Sequence, residues 1–285
     1  MPPKNCLEKI DMQKPKDFFL DSDFLRAFSE MDLTTIDAVF NFSTGRNLNK
    51  LNLAQHRSRM EFETASPKAT LFLKRYDNPP KMTQLKNWLV HRARAATMAY
   101  DMNPAKKLGD LGINTPKTIC YGSEWAGLFE KRSFIITEKI PNAHSLEKEL
   151  SECFALPDLR DKKHFIESIA LFVRKFHDTG FRHRDLYLCH IFYSDNGEFS
   201  LIDLQRCFRP KFFARRFRLK DIAQLYYSSP GRVISKTDRL RFYLQYSGKN
   251  TLSKRDKVFI SKLKAKADKM ARHDIKHNRT APFAS

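Results

Sequence analysis

The sequence predicts an α+β fold of two lobes, with a sheet-rich first half and a mainly helical second half. Three observations carry this. Period-two apolar segments dominate before residue 140, and helical spacing dominates after Pro141. The chain of 285 residues, 41% hydrophobic with 24 Phe, can also bury a substantial core and is too apolar for disorder.

Taken in order, residues 1–32 have weak periodicity and read as a loosely attached N-terminal extension. The first lobe is expected over 33–140. Strand-like patterns appear at "TIDAVFNF" (35–42), "MEFETA" (60–65) and "ATLFLKRY" (69–76), the last closed by the turn chemistry of "YDNPP". Residues 83–103 have a helical pattern that Pro104 kinks or ends, and "LGINTP" (111–116) breaks it. Strands follow around "TICYG" (118–122) and "SFIITEKI" (133–140). The second lobe is expected over 141–285. Its "HFIESIALFVRKFH" (164–177) sets Phe165, Ile166, Ile169, Ala170, Val173 and Phe176 on one helical face. "IFYSDNGEFSLIDL" (191–204) reads as a hairpin around Asn-Gly, and helices follow at 213–228, 234–246 and 254–275.

Composition limits the classes of function. No run approaches the roughly 18 apolar residues of a spanning helix, and the charged opening segment lacks the apolar core of a secretory signal. Cys6, Cys120, Cys153, Cys189 and Cys207 are scattered without a CxxC pair, which argues against a zinc or disulfide framework and for a reducing cytoplasm. The net charge of +20 suits an anionic partner, or simply keeps a basic enzyme soluble.

The chemistry concentrates in "HRDLYLCHIF" (183–192), which follows the long apolar helix. Its first four residues match the H-R-D-L-x-x-x-N loop of kinases, where the aspartate accepts the proton of the attacking hydroxyl. Asp185 either fills that role or caps a turn beside Arg184. Asp203 lies 18 residues further, beyond the Asn-Gly hairpin, which would return it toward Asp185. It is read as a magnesium ligand in place of the D-F-G aspartate, although its triplet is Asp203-Leu204-Gln205. Lys74, in "LFLK", matches the strand lysine that positions nucleotide phosphates. His190 stands where the kinase asparagine would bind a second ion, and is either a metal or phosphate partner or a core histidine.

At these residues the chain resembles the lipopolysaccharide core heptose kinase family (RfaP/WaaP, InaA-like), whose loop also carries histidine at this place. "GFRHRDLYLCHIF" and "LIDLQR" carry the resemblance, supported by "FLKRYDNPP", "LGINTP", "RSFIITEKIPNAHSL" and "RFRLKDIAQLYYSS" across roughly residues 35–245. The resemblance implies a protein-kinase-like fold and ATP-dependent phosphorylation of a sugar hydroxyl, heptose being the expected acceptor. The reaction would take place on lipid A–core at the inner face of the cytoplasmic membrane. Carried over by position, Asp185 is catalytic, Asp203 and His190 hold Mg2+, and Lys74 meets the ATP phosphates. Glu138 falls at the hinge that contacts adenine through its backbone. His183 supports the loop, and Asp221 either braces it from the next helix or is a solvent-facing charge. Two features depart from the family pattern. Before Lys74 only Gly45 occurs, so no G-x-G-x-x-G exists, and no glutamate lies between Thr83 and Leu111 to pair with the lysine. Asp101 is the available partner, shorter by one methylene, so the pair requires a closer helix or a water.

Two basic regions suggest peripheral membrane contact. Arg215, Arg216, Arg218 and Lys220 accompany Phe212, Phe213 and Phe217, and Lys254–Arg279 carries ten Lys/Arg against three Asp. The second region reads equally as a C-terminal helix packed on the lobe with a solvated basic face. No nucleic-acid-binding signature is present, so no specific nucleic acid is expected. The competing functions are a kinase for another small molecule or protein, and a membrane-associated pseudokinase scaffold.

Overall fold

A computed structural model describes residues 18–49, 54–152 and 159–277. Cys6 and Cys153 lie outside these residues, as do the first 17 positions. The chain divides into two compact units. The first comprises residues up to Asn103 with Lys117–Lys139, and the second comprises Pro104–Pro116 with Ile140 onward.

The first unit is built on an antiparallel six-stranded sheet. Its strands are β1 (Phe18–Leu20), β2 (Arg46–Asn47), β3 (Arg57–Ala65), β4 (Lys68–Asp77), β5 (Thr118–Ala126) and β6 (Phe129–Glu138), in the order β1-β5-β6-β4-β3-β2. Alternation along β4 sends Ala69, Leu71 and Leu73 to one face, and Tyr76 shares the other with Lys74. The first face packs under α1 (Leu25–Glu30) and α2 (Ile36–Asn41), burying Phe24, Phe28, Val39, Phe134 and Ile136. Residues 18–32 are therefore part of the core, with the short strand β1 pairing along β5.

Two expectations change here. Within residues 35–42 the chain forms helix α2 (Ile36–Asn41) rather than a strand. Thr35 accepts from the Ala38 amide at 3.1 Å, an N-cap, and Ile36, Val39 and Phe40 share a helical face. The helical pattern over 83–103 is two helices, α3 (Lys81–His91) and α4 (Ala99–Asp110). Arg92 adopts a left-handed conformation, φ 54°, and its amide bonds back to the Trp88 carbonyl, which ends α3. Pro104 sits inside α4 without ending it.

The second unit holds most of the helices. These are α5 (Leu146–Glu152), α6 (Leu159–Asp178), α7 (Ala214–Ser228), α8 (Lys236–Ser247) and α9 (Lys254–Lys276), beside a sheet of β7 (Ala143–Ser145), β8 (Ile191–Ser194) and β9 (Phe199–Leu201). The expected apolar stripe of α6 is buried: Phe165, Ile166, Ile169, Ala170, Val173 and Phe176 all enter one core with Leu186, Leu188, Ile191 and Ile222. β8 and β9 form the expected hairpin, with Gly197 at φ 78° supplying the left-handed turn position. α9 packs on α7 through Leu263, Ala267 and Ala271, and Tyr227 donates to Asp274 at 2.6 Å. Its apolar face is thus occupied by protein. Among the described residues no helix is long and apolar enough to cross a membrane.

Candidate active site

Each unit carries its own group of charged residues. In the first, Lys74 Nζ lies 2.5 Å from Asp101 Oδ2. The pair closes directly despite the short aspartate, because Ala95, Ala96 and Ala99 are buried against Tyr76 and Ile135 and let the start of α4 approach the sheet. Glu138 ends β6 with its amide donating to the Lys117 carbonyl at 2.9 Å, and Lys139 donates to Thr70 at 2.8 Å. Donation to a ligand from these two amides is therefore closed. Gly45 is required by packing, since a Cβ there would meet the Glu61 carbonyl at 2.6 Å. Residues 48–56, the connection between β2 and β3, contain no glycine, and 50–53 lie outside the described residues.

In the second unit, residues 181–190 form a loop held by one face of α7. Asp221 is completely buried and accepts from the amides of His183 at 2.9 Å and Arg184 at 2.7 Å. Three residues further along, Gln224 accepts from Leu186 at 3.2 Å; next, Ser228 accepts from Leu188 at 3.0 Å. Spacing of three and four places these acceptors in a row. Arg184 is thereby held at φ 70°, a left-handed conformation costly for its side chain, with its guanidinium over the rings of Phe208 and Phe217.

The two buried histidines brace the same loop. His183 Nε2 donates to the Ile202 carbonyl at 3.0 Å, which ties the loop to the residue before Asp203. Burial holds His183 below its ordinary pKa, so the ring is neutral at pH 7. His177 lies 3.3 Å from Asp221; burial lowers its pKa too, against the opposing pull of Asp221.

His190 lies between the backbone of Asp185 and the carboxylate of Asp203. Its Nδ1 lies 2.7 Å from the Asp185 carbonyl and donates to it, so in a neutral ring Nε2 carries the lone pair. Nε2 stands 3.8 Å from Asp203 Oδ2. Two acceptors facing each other across that gap are reconciled by a proton or by a cation. One carboxylate and one imidazole fit a divalent ion that takes its remaining oxygens from nucleotide phosphates. Asp203 itself sits at φ 56°, a left-handed conformation that aspartate tolerates better than most residues. Among the described residues no group of three or more His, Cys, Asp or Glu side chains gathers at a common point.

Asp185 has neighbours that sequence reasoning did not assign. Arg206 Nη1 lies 2.9 Å from both of its oxygens, Lys220 Nζ lies 3.7 Å from Oδ1, and Gln224 Nε2 is 3.4 Å from the same atom. Lys220, expected in a surface basic cluster, is half-buried and also donates to the Arg184 carbonyl. Only Arg215 and Arg216 of that cluster are exposed.

Comparison with known proteins decides the family. The family model described as "Lipopolysaccharide kinase (Kdo/WaaP) family" matches residues 46–246. The chain belongs to this lipopolysaccharide kinase family. The match spans Lys74, Asp101, the loop and Asp203, and identifies the chain as a sugar-directed phosphotransferase. It is 32% identical over 200 residues to the lipopolysaccharide core heptose(I) kinase WaaP of Escherichia coli K12, covering 67% of this chain and 75% of the relative. The WaaP of Pseudomonas aeruginosa is 28% identical over 169 residues, 56% of this chain and 63% of that protein. A solved structure described as WaaP in complex with acyl carrier protein has the same kinase-like α+β fold. Its TM-score is 0.64 at 23% identity, covering 88% of this chain and 98% of that one.

Proposed function

We propose that this family member transfers the γ-phosphoryl group of ATP to a heptose hydroxyl of the lipopolysaccharide inner core. The observation that best supports this is His190, which is fixed on the backbone carbonyl of Asp185 through one ring nitrogen and faces the Asp203 carboxylate with the other. Asp185 receives the proton of the acceptor hydroxyl. The hydroxyl oxygen forms a bond to the γ-phosphorus, and the bond from that phosphorus to ADP breaks. Asp203 and His190 would hold Mg2+, which would neutralise charge on the phosphates. Lys74, fixed by Asp101, is assigned to those phosphates, and Glu138 to the adenine through its carbonyl oxygen. His183 and Asp221 keep the loop in register, so that Asp185 is presented by a backbone with few alternatives.

The acceptor supplies a second element of the reading. Lipid A–core is a membrane glycolipid, and Phe212 and Phe213 are 69% and 75% exposed beside exposed Lys211, Arg215 and Arg216. Aromatic and cationic side chains together suit the interface of an anionic leaflet. A peripheral position on the cytoplasmic face of the inner membrane follows from this reading.

Incubation of the purified chain with Mg-ATP and unphosphorylated lipid A–core, followed by mass spectrometry of the core sugars, tests the assignment. Phosphate on heptose supports it. Phosphate on 3-deoxy-D-manno-octulosonic acid instead would move the acceptor, and phosphate on neither would refute it.

A further inference from the structure

Asp185 does not present an open carboxylate. One guanidinium nitrogen of Arg206 sits 2.9 Å from each of its oxygens, while Lys220 lies 3.7 Å from Oδ1. The two cations differ in how firmly they are held. Lys220 is about a quarter exposed and anchored on the Arg184 carbonyl, whereas Arg206 is 52% exposed. Arg206 projects from the short helical turn Leu204–Arg206 that follows Asp203. An exposed ion pair of this kind is weak, so a better anion can draw the guanidinium away at little cost. Phosphate and carboxylate are such anions, because the planar fork of arginine binds them through two parallel hydrogen bonds.

The local charge balance also favours an added anion. Arg206 and Lys220 contact Asp185 directly and Arg184 acts on it through space, while Asp221 is committed to two backbone amides and His177. Burial lowers the proton affinity of Lys220, and repulsion from Arg206 and Arg184 adds to this against the attraction of Asp185. A further negative group beside Asp185 would relieve that repulsion.

We infer that Arg206 is an acceptor-operated gate: it covers the Asp185 carboxylate until an acceptor bearing a phosphate or carboxylate near its reactive hydroxyl takes the guanidinium. Taking it uncovers the base and orients the hydroxyl in one event. The anionic group of the acceptor thus becomes a requirement for efficient transfer, and water, which carries no such group, is a poor acceptor. This inference rests on Asp185 acting as the base.

The test uses the full chain with Arg206→Ala and Arg206→Lys, and three acceptors: lipid A–core lacking only the heptose phosphate, called native below, the same material with its lipid A phosphates removed, and the same material with its carboxylates reduced. With wild type, one of the two treatments should raise KM roughly ten- to a hundredfold, which identifies the recognised anion. Arg206→Ala should raise KM for native acceptor by a similar factor and lose the difference between native and treated acceptor. It should also hydrolyse ATP faster without acceptor, and Arg206→Lys should recover part of the discrimination. Retained binding of Mg-ATP, read by thermal shift, shows that each variant is folded. Equal discrimination by wild type and Arg206→Ala, or indifference of wild type to both treatments, would overturn the gate. Turnover that survives in Asp185→Asn would instead overturn the base assignment, which separates the two failures.

Discussion

Asp221 has no exposure to solvent, yet its charge organises the loop that carries Asp185. Both its oxygens accept backbone amides, and one of those amides belongs to Arg184 at φ 70°. Removing this acceptor leaves two buried donors unsatisfied, each costing about 1–3 kcal/mol, and releases a strained residue next to the base. Asp221→Ala should therefore lower both the unfolding midpoint in urea and the rate of phosphate transfer. Asp221→Asn, which keeps one acceptor, should do less of each. A variant that transfers phosphate at the wild-type rate would show that the loop holds its shape without this residue. The letters around Asp221 allowed a bracing role or a surface charge, since a single aspartate in a basic helix permits both. Gln224 and Ser228 carried a weaker signal, polar residues at helical spacing among buried Ile222, Ala223 and Leu225, and it becomes legible only once the partner loop is known. Arg206 was visible within "LIDLQR", but nothing in its spacing indicates that it turns back onto Asp185.

At the scale of elements, period-two and period-3.6 patterns located strands β3, β4, β5 and β6 and helices α6 to α9, because each buries one continuous face. Residues 35–42 misled for a physical reason. In a segment of six helical residues, Ile36, Val39 and Phe40 are too few to separate the two periods, and the cap on Thr35 decides. The segment before α7 leads to a prediction. Phe212 and Phe213 are exposed with basic neighbours, whereas α9 has its apolar face against α7. Phe212→Ser with Phe213→Ser should weaken sedimentation with vesicles of phosphatidylglycerol and phosphatidylcholine, by roughly 1.5–3 kcal/mol for each ring that had been buried. Equal binding by the double variant would take this segment out of membrane contact.

Over the whole molecule, the +20 charge indicated an anionic partner without locating it, because charge reports on association rather than on fold. The structure places part of that charge at Lys220 beside Asp185, at the exposed Arg215 and Arg216, and along α9. Stability should depend on pH through the two buried histidines. Burial lowers the pKa of both His177 and His183, so the folded chain binds fewer protons than the unfolded chain. Their contribution is fully present above the unfolded value of about 6.5 and is lost as pH falls below it. Thermal unfolding should show a Tm that is flat near pH 7.5 and falls between about pH 6.5 and 5. A Tm that rises over that interval would mean the rings are charged in the folded state.

The chemistry assigned to the chain depends on a single oxygen-bearing side chain in a loop built by α7. The direct measurement is transfer of labelled γ-phosphate to lipid A–core that lacks heptose phosphate, by wild type and by Asp185→Asn, with Mg-ATP binding recorded in parallel. The account predicts labelled heptose with wild type, and for Asp185→Asn retained nucleotide binding with transfer lowered by a factor of about a hundred or more. Undiminished transfer by Asp185→Asn would contradict it.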